Sequence, residues 1–463
     1  MTATRSEPNA VETATRIPLS TSIGLGTGSM LQPLNSSMIA VAVVAIAAHY
    51  GSPSAATWVI SALYIATAVT GPAAGRLGEL FGARRVYTAG LVLIAIGSIM
   101  GTLAPSIGWL IAARVILGIG TATQYPTAMT IVRTMAERTG ARTSSAIAVL
   151  SVCAQSMVAL GPTLGGLLVG LLGWQSIFWV NLPMVVVTFL WVRRVTPADT
   201  QRIGGLRPAL AALDVPGLAL FLGLLTSTMF LLLSLGGSPA WWLLPVIVVL
   251  AAGFVARERR TTGPFIDVRA LVRNRALTLT LGRTFAVYTC FYCIFFGVPQ
   301  WLMTERGFSA MTAGLLMLPV AVTGICATML ATAINTRAGA RVTLAIGMVG
   351  LLIAGLALGL AETVETPLIG LVLVSFLLGI PNGFNNIGNQ NVINAVSGVH
   401  EVGTAIGMYR TVQYMAANMA AVVLELALRP GDGGLRTVGL FLVIVAALGL
   451  VGVLASRTLR SVR

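Results

Sequence analysis

The stretch GRLGELFGARR, Gly75 to Arg85, decides how this chain is read. It lies at the junction of two apolar runs, 55–80 and 86–104, each long enough to cross the roughly 30 Å hydrocarbon core of a bilayer as a helix. Gly71, Gly75, Gly78 and Gly82 permit close backbone approach, and Glu79 stands opposite Arg84 and Arg85, charges that belong at a membrane edge. Arginines between apolar spans mark the cytoplasmic side. The segment therefore reads as a short cytoplasmic hairpin that ends one membrane helix and begins the next.

Outward from it the pattern repeats. Apolar stretches fall at 21–48, 55–80, 86–104, 107–135, 143–172, 174–193, 213–235, 239–256, 277–303, 310–334, 341–361, 366–393, 402–428 and 435–456, predicting fourteen transmembrane helices. All 29 basic residues are arginine. Arg306, Arg429 and Arg436 fall in or beside external gaps, and Arg114, Arg283 and Arg410 lie within helices. Every other arginine falls on the cytoplasmic side or its edge, which puts both termini inside. Composition agrees, with 56% hydrophobic and 9% charged residues, so the net charge of +15 reflects topology. Nucleic-acid binding would need basic residues gathered on a water-exposed domain, and no polar stretch is long enough to form one. Residues 1–20 mix acids and arginines and read as a disordered cytoplasmic tail, not a cleavable signal.

The longest polar connections flank the seventh and eighth helices, so 195–276 reads as a linker carrying two extra spans. On either side remain six helices, 21–194 and 277–463. The halves echo each other: GRLGELFGAR, Gly75 to Arg84, returns as TAINTRAGAR, Thr332 to Arg341, with Thr336 in place of the acid. Internal duplication is a mark of transporters whose binding site lies between two halves.

Four stretches carry a resemblance to a known family: Gly75 to Arg85; RVILGIGTATQYP, Arg114 to Pro126; GPTLGG, Gly161 to Gly166; and GWQSIFWVNLP, Gly173 to Pro183. Together with PFIDVRALVRNR, Pro264 to Arg275, they resemble the fourteen-helix drug:proton antiporter branch of the major facilitator superfamily, from about Leu34 to the C-terminus. The resemblance implies an all-α polytopic membrane protein of two six-helix bundles plus two inserted central helices. It also implies a bacterial cytoplasmic membrane, a small amphipathic organic substrate and protons as coupling ion.

On that resemblance Glu79, Arg84 and Arg85 act in gating, and Arg114 belongs to the proton or substrate path. Arg114 interrupts an apolar helix at a cost of roughly 2.5 to 3.5 kcal/mol on insertion scales, so something must compensate it. Carbonyls of a neighbouring helix are the structural alternative. Gly161, Gly165 and Gly166 form a small-residue face beside Pro162, matching the signature that separates exporters from importers in the family. The chain departs from the family in its first helix, LNSSMIAVAV, where Asn35 takes the place of an aspartate. An amide binds substrate but carries no proton, so coupling is not assigned to this position; Glu79 and Glu425 are the remaining acids within helices of the two bundles.

The helices that face the family's pseudo-twofold axis bring Gln32, Asn35, Gln124, Tyr125, Gln155, Tyr288, Tyr292, Asn385, Asn389, Arg410, Gln413 and Tyr414 as candidate cavity residues. Interhelical hydrogen bonding is the alternative for each amide. Arg410, Gln413 and Tyr414 share a helical face, and Arg410 suits an anionic group. No phosphate loop, His-rich cluster or redox context for Cys290 and Cys293 appears, so no cofactor, metal or enzymatic activity is expected. The expectation is an exporter of amphipathic organic compounds working by alternating access. A dedicated exporter of an endogenous metabolite or lipid, or a non-transporting membrane sensor, are the alternatives. A topological prediction follows from the arginines: in a cysteine-free background, a cysteine at Ser238 labels from outside and one at Gln201 only after permeabilisation. A cytoplasmic Ser238 would rule out the extra helix pair.

Overall fold

A computed structural model describes residues 17–141, 143–199, 214–235, 238–261, 269, 273–360, 363, 365–397, 402–428, 434–456 and 458–461. Of the tail expected at 1–20, residues 1–16 lie outside the described residues, while a helix already begins at Leu19. Most of the PFIDVRALVRNR segment and Arg429 also lie outside the described residues, as do the side chains of Arg76 and Glu79.

Among the described residues the regular structure is α-helix: α1 (Leu19–Tyr50), α2 (Pro53–Phe81), α3 (Ala83–Thr102), α4 (Ile107–Thr139), α5 (Ser144–Leu172), α6 (Ser176–Trp179) and α7 (Asn181–Val195) come first. There follow α8 (Val215–Ser234), α9 (Leu243–Arg260), α10 (Arg275–Thr304), α11 (Ala310–Leu316), α12 (Leu318–Leu360), α13 (Leu368–Val396), α14 (Val402–Ala427), α15 (Leu435–Ala455) and α16 (Thr458–Ser461). Sequence chemistry sets several starts: Ser106, Asn274 and Ser309 each accept a hydrogen bond from the backbone amide three residues on. Among the described residues eleven helices are long and apolar enough to cross a membrane, against the fourteen expected. One of the eleven spans 51 residues, Ala310–Leu360, and turns at Gly339, where the sequence pattern places two helices. Leu243–Arg260 and Val402–Ala427 stand outside the eleven; the first ends on four charged residues and the second carries Arg410 and Glu425.

Helices α1 to α7 pack on one another, α10 to α15 do likewise, and α8 and α9 pair with each other beside α2 and α14. The outer faces are apolar: Leu171, Val249 and Leu448 are 67%, 69% and 69% exposed, surface that hydrocarbon accepts and water does not.

The sequence echo is also a backbone echo. Gly82 and Gly339 have φ of 95° and 81°, values glycine adopts without a Cβ clash, and each is followed by Ala-Arg. The arginine then performs the same task in both halves. Arg84 donates from Nη2 to the carbonyl of Arg193 at 2.8 Å, near the end of α7. Arg341 donates from Nη2 to the carbonyl of Leu454, near the end of α15. In each half a positive-φ glycine turns the chain between its second and third spans, and the arginine beside it satisfies a carbonyl that the last span leaves open.

The interior of the first half is held by polar groups that bond to one another across helices. Arg114, fully buried, donates from Nε to the carbonyl of Val59 on α2 at 2.9 Å and from Nη1 to the carbonyl of Asn35 on α1 at 3.1 Å. The side chains of Asn35 and Asn181 exchange hydrogen bonds at 2.8 and 2.9 Å, and Asn181 also donates to Ser98 Oγ at 3.1 Å. Gln124 donates to the carbonyls of Tyr87 and Gly120, both at 3.2 Å. Asn35→Ala or Asn181→Ala should each cost roughly 0.6 to 2 kcal/mol, because either leaves the opposing amide unpaired. The double variant should cost less than the sum, read as a double-mutant cycle of thermal unfolding in detergent. Additive losses would show that the pair contributes nothing as a pair.

Candidate functional site

The two halves meet most closely at the end remote from the α2–α3 turn. There Thr57 of α2 donates to Glu425 Oε2 of α14 at 2.7 Å, and Thr163 of α5 donates to the carbonyl of Gly314 of α11 at 2.8 Å. Gly166 makes this approach possible: a Cβ there would sit 2.4 Å from the carbonyl oxygen of Ala310 and 3.0 Å from Gly314 Cα. Gly161 and Gly165 instead admit Ser37 and Met38 of α1. The small-residue face beside Pro162 thus packs α5 against both its own half and the other.

Helices α2 and α14 run antiparallel, with Thr57 beside Glu425, then Ile65 clustered with Val422, then Val69 with Met415. Beyond that level they part: a Cβ at Gly71, Gly75 or Gly407 would find no atom within 4 Å. The arrangement is a cleft closed at one end and open towards the α2–α3 turn.

Its middle is aromatic. Tyr64 of α2 meets Tyr292 edge-on at 5.5 Å and lies 6.2 Å from Phe296 and 6.1 Å from Tyr414, a contact of one half with two helices of the other. Tyr292 stacks on Phe296 at 5.5 Å, and Tyr288 meets Tyr409 edge-on at 6.2 Å. Arg410 lies 5.8 Å above the ring of Tyr125, whose hydroxyl is 3.4 Å from Ser151 Oγ on α5. Asn386 Oδ1 accepts from Tyr288 at 3.0 Å, Tyr409 at 2.9 Å and Gln390 at 3.3 Å, while Arg283 donates to Asn389 Oδ1 at 2.7 Å.

Of the expected cavity residues, the structure gathers Tyr125, Tyr288, Tyr292, Arg410 and Tyr414 around this cleft. Gln413 on α14 and Asn389 on α13 are buried. Asn35 and Gln124 correct the expectation: both turn into the first half, because a buried amide needs several partners and α3 and α7 provide them. Asn385 also turns away, packing its amide where a Cβ on Gly347 of α12 would lie. Gln32 is half-buried and Gln155 exposed. Cys290 and Cys293 are buried free thiols.

At the turn segment Asp199 accepts from the backbone amides of Arg84 and Arg85 at 3.3 and 2.9 Å and caps α3. Beside it is a cavity of about 310 Å³ lined by Gly78, Arg84, Arg133, Glu137 and Asp199. Tyr64, Asn181, Asp199, Arg283 and Asn386 were missed as site residues. Asn181, Arg283 and Asn386 carried a signal, a polar side chain inside an apolar helix.

Two groups of membrane-length helices meeting at a polar, aromatic cleft that is closed at one end define a membrane transport protein. The sequence pattern of the Major Facilitator Superfamily matches residues 25–422, and the chain belongs to that family. It is 34% identical over 401 residues to the uncharacterized MFS-type transporter YwoD of Bacillus subtilis (strain 168), covering 86% of this chain and 88% of that one. It is 30% identical over 355 residues to the multidrug resistance protein Stp of Mycobacterium tuberculosis, covering 75% of this chain and 64% of that one. With the tetracenomycin C resistance and export protein of Streptomyces glaucescens it shares 28% identity over 431 residues, 90% of this chain and 77% of that one. In fold it is similar to a mutant form of the nucleoside transporter NupG, with a TM-score of 0.66, 14% identity and coverage of 94% and 99%.

Gly166→Ala should open the closed end, since the atoms its Cβ would meet are backbone and cannot rotate away. Spin labels at Leu172 and Thr304 should lie farther apart in the variant than in the unsubstituted chain; equal distance distributions would dismiss Gly166 as the fulcrum of that contact.

Proposed function

We propose that this protein exports amphipathic organic compounds across the bacterial cytoplasmic membrane by alternating access, driven by the proton gradient. The observation that carries the reading is the aromatic cleft between the halves, closed at one end by Thr57–Glu425 and Thr163–Gly314 and open at the other. Export is favoured by the names of two relatives, one a multidrug resistance protein and one a resistance and export protein. In this reading 21–194 and 277–463 are the moving halves, 195–276 is an insert, and the α2–α3 turn is cytoplasmic. The cleft then faces the cytoplasm, ready to load.

Glu425 is the acid we assign to coupling. Ionised, its carboxylate accepts from Thr57 in a charge-assisted bond that helps hold the far end shut; protonation weakens that acceptor and loosens the contact. Protons reaching Glu425 from outside would thus favour the outward-open form, the order an antiporter needs.

A susceptibility and dye-efflux panel in cells with and without the protein tests direction and substrate class, with a gain in tolerance and faster dye loss as the expected result. Faster accumulation of the same compounds would reverse the reading, and an unchanged panel together with an unchanged proton flux would end it. Glu425→Gln should flatten the dependence of efflux on external pH, since the amide neither gains nor loses a proton; an unaltered pH profile would move the coupling group elsewhere.

A further inference from the structure

We infer that the compounds this cleft carries are soluble aromatic organic anions anchored by Arg410; the inference deepens the export reading and rests on it. Arg114, Arg283 and Arg410 lie deep within membrane helices, and the first two donate hydrogen bonds inside the protein, although Nη2 of each has no partner among the described residues. Arg114 donates to the carbonyls of Val59 and Asn35, and Arg283 to Asn389 Oδ1. Arg410, about two turns into α14, makes no hydrogen bond or ion pair among the described residues; what surrounds its guanidinium is tyrosine, at 5.8 Å from the ring of Tyr125 and within electrostatic reach of Tyr288, Tyr409 and Tyr414. A guanidinium presents a planar fork of donors that matches a carboxylate or sulfonate.

Nearby, Arg283 Nη2 and Asn389 Nδ2 on α10 and α13 are buried donors without a hydrogen-bond partner among the described residues, as Asn385 Oδ1 and Asn418 Oδ1 are buried acceptors without one. Counter-charge for a cation is missing from the same place: the sequence holds no Asp or Glu from 19 to 78, 268 to 304, 366 to 400 or 402 to 424. A cationic substrate would meet Arg410 as a like charge, which selects against it. The rings of Tyr64, Tyr292 and Phe296 supply the apolar surface that an aromatic body would occupy. An anion leaving a negatively charged interior also moves charge in the same sense as a proton entering, so the membrane potential drives both. No acid in the middle of the cleft is then needed to pull the substrate out.

The test uses the full chain in lipid vesicles with two permanently charged probes on one ring system, naphthalene-2-sulfonate and trimethyl-2-naphthylammonium. Sulfonate transport should exceed ammonium transport by about tenfold, the scale of one charge-assisted hydrogen-bonded pair, and an inside-negative potassium diffusion potential should speed sulfonate exit. Arg410→Gln should reduce the sulfonate-to-ammonium ratio by a similar factor, and Arg410→Glu should invert it. Because each ratio compares two probes on one protein preparation, a lower yield of folded variant leaves it unchanged; Arg410→Lys, which keeps the charge, should retain the sulfonate preference. Preference for the ammonium, or a ratio unmoved by Arg410→Gln, would overturn the inference while leaving export intact, and would make Arg410 a ring-stacked cation solvated by water. Movement of a fluorescent phosphatidylglycerol with the sulfonate stationary would also overturn it, by placing the anion in the bilayer. If neither naphthyl probe nor any dye of the efflux panel moves, the export reading itself fails and this inference fails with it.

Discussion

Arg114 and the two carbonyls it binds are the constraint on which the first half depends. A guanidinium in hydrocarbon must find acceptors within the protein, and the two it finds are main-chain oxygens of α1 and α2, which fixes α4 against both. One of those oxygens belongs to Asn35, whose side chain is already paired with Asn181, and Asn181 reaches Ser98 on α3. One connected set of hydrogen bonds therefore ties α1, α2, α3, α4 and α7. Such a network resists internal rearrangement, because moving any helix strands a buried polar group at a cost of roughly 1 to 3 kcal/mol. A half that cannot deform can only move as a body.

The Gly-Ala-Arg turn shows how duplication was kept where geometry required it and released elsewhere. Gly82 and Gly339 share a backbone conformation, and Arg84 and Arg341 share a task at the end of the sixth span of their half. What surrounds them has diverged. In the first half Asp199 folds back to cap α3, and a Cβ on Gly82 would lie 2.4 Å from its carboxylate. Thr336, where Glu79 stands in the first copy, bonds only the carbonyl of Ala333 in its own helix. The turn is common to both halves, and among the described residues its polar surroundings differ.

Depth was legible in the sequence and rotation was not. Hydropathy and arginine placement give the level of each helix in the membrane, and the family resemblance named the helices expected to face the cavity; of the residues named on them, Tyr125, Tyr292, Arg410 and Tyr414 lie together in the structure. Asn35 and Gln124 were named in the same way and turn elsewhere, because helices that are apolar all round offer no contrast between a face towards the cleft and one towards neighbouring helices. Their direction was settled by distant partners, Asn181 and Tyr87, that no local pattern announces. Tyr64 was hidden as one aromatic in a long apolar run. Asp199 lies in a connection whose relation to α3 exists only once α7 has returned to the turn end.

The polar contacts at the closed end are few: Thr57–Glu425 and Thr163–Gly314, alongside close glycine packing and the α2–α14 contact down to Val69. Moving a two-state equilibrium from 1:99 to 99:1 takes about 5.5 kcal/mol of differential binding. In the export reading proposed above, occupation of the cleft by one substrate acts on that scale. The contact between the halves is then where the structure yields, while the polar groups that could not be left in lipid hold the first half together.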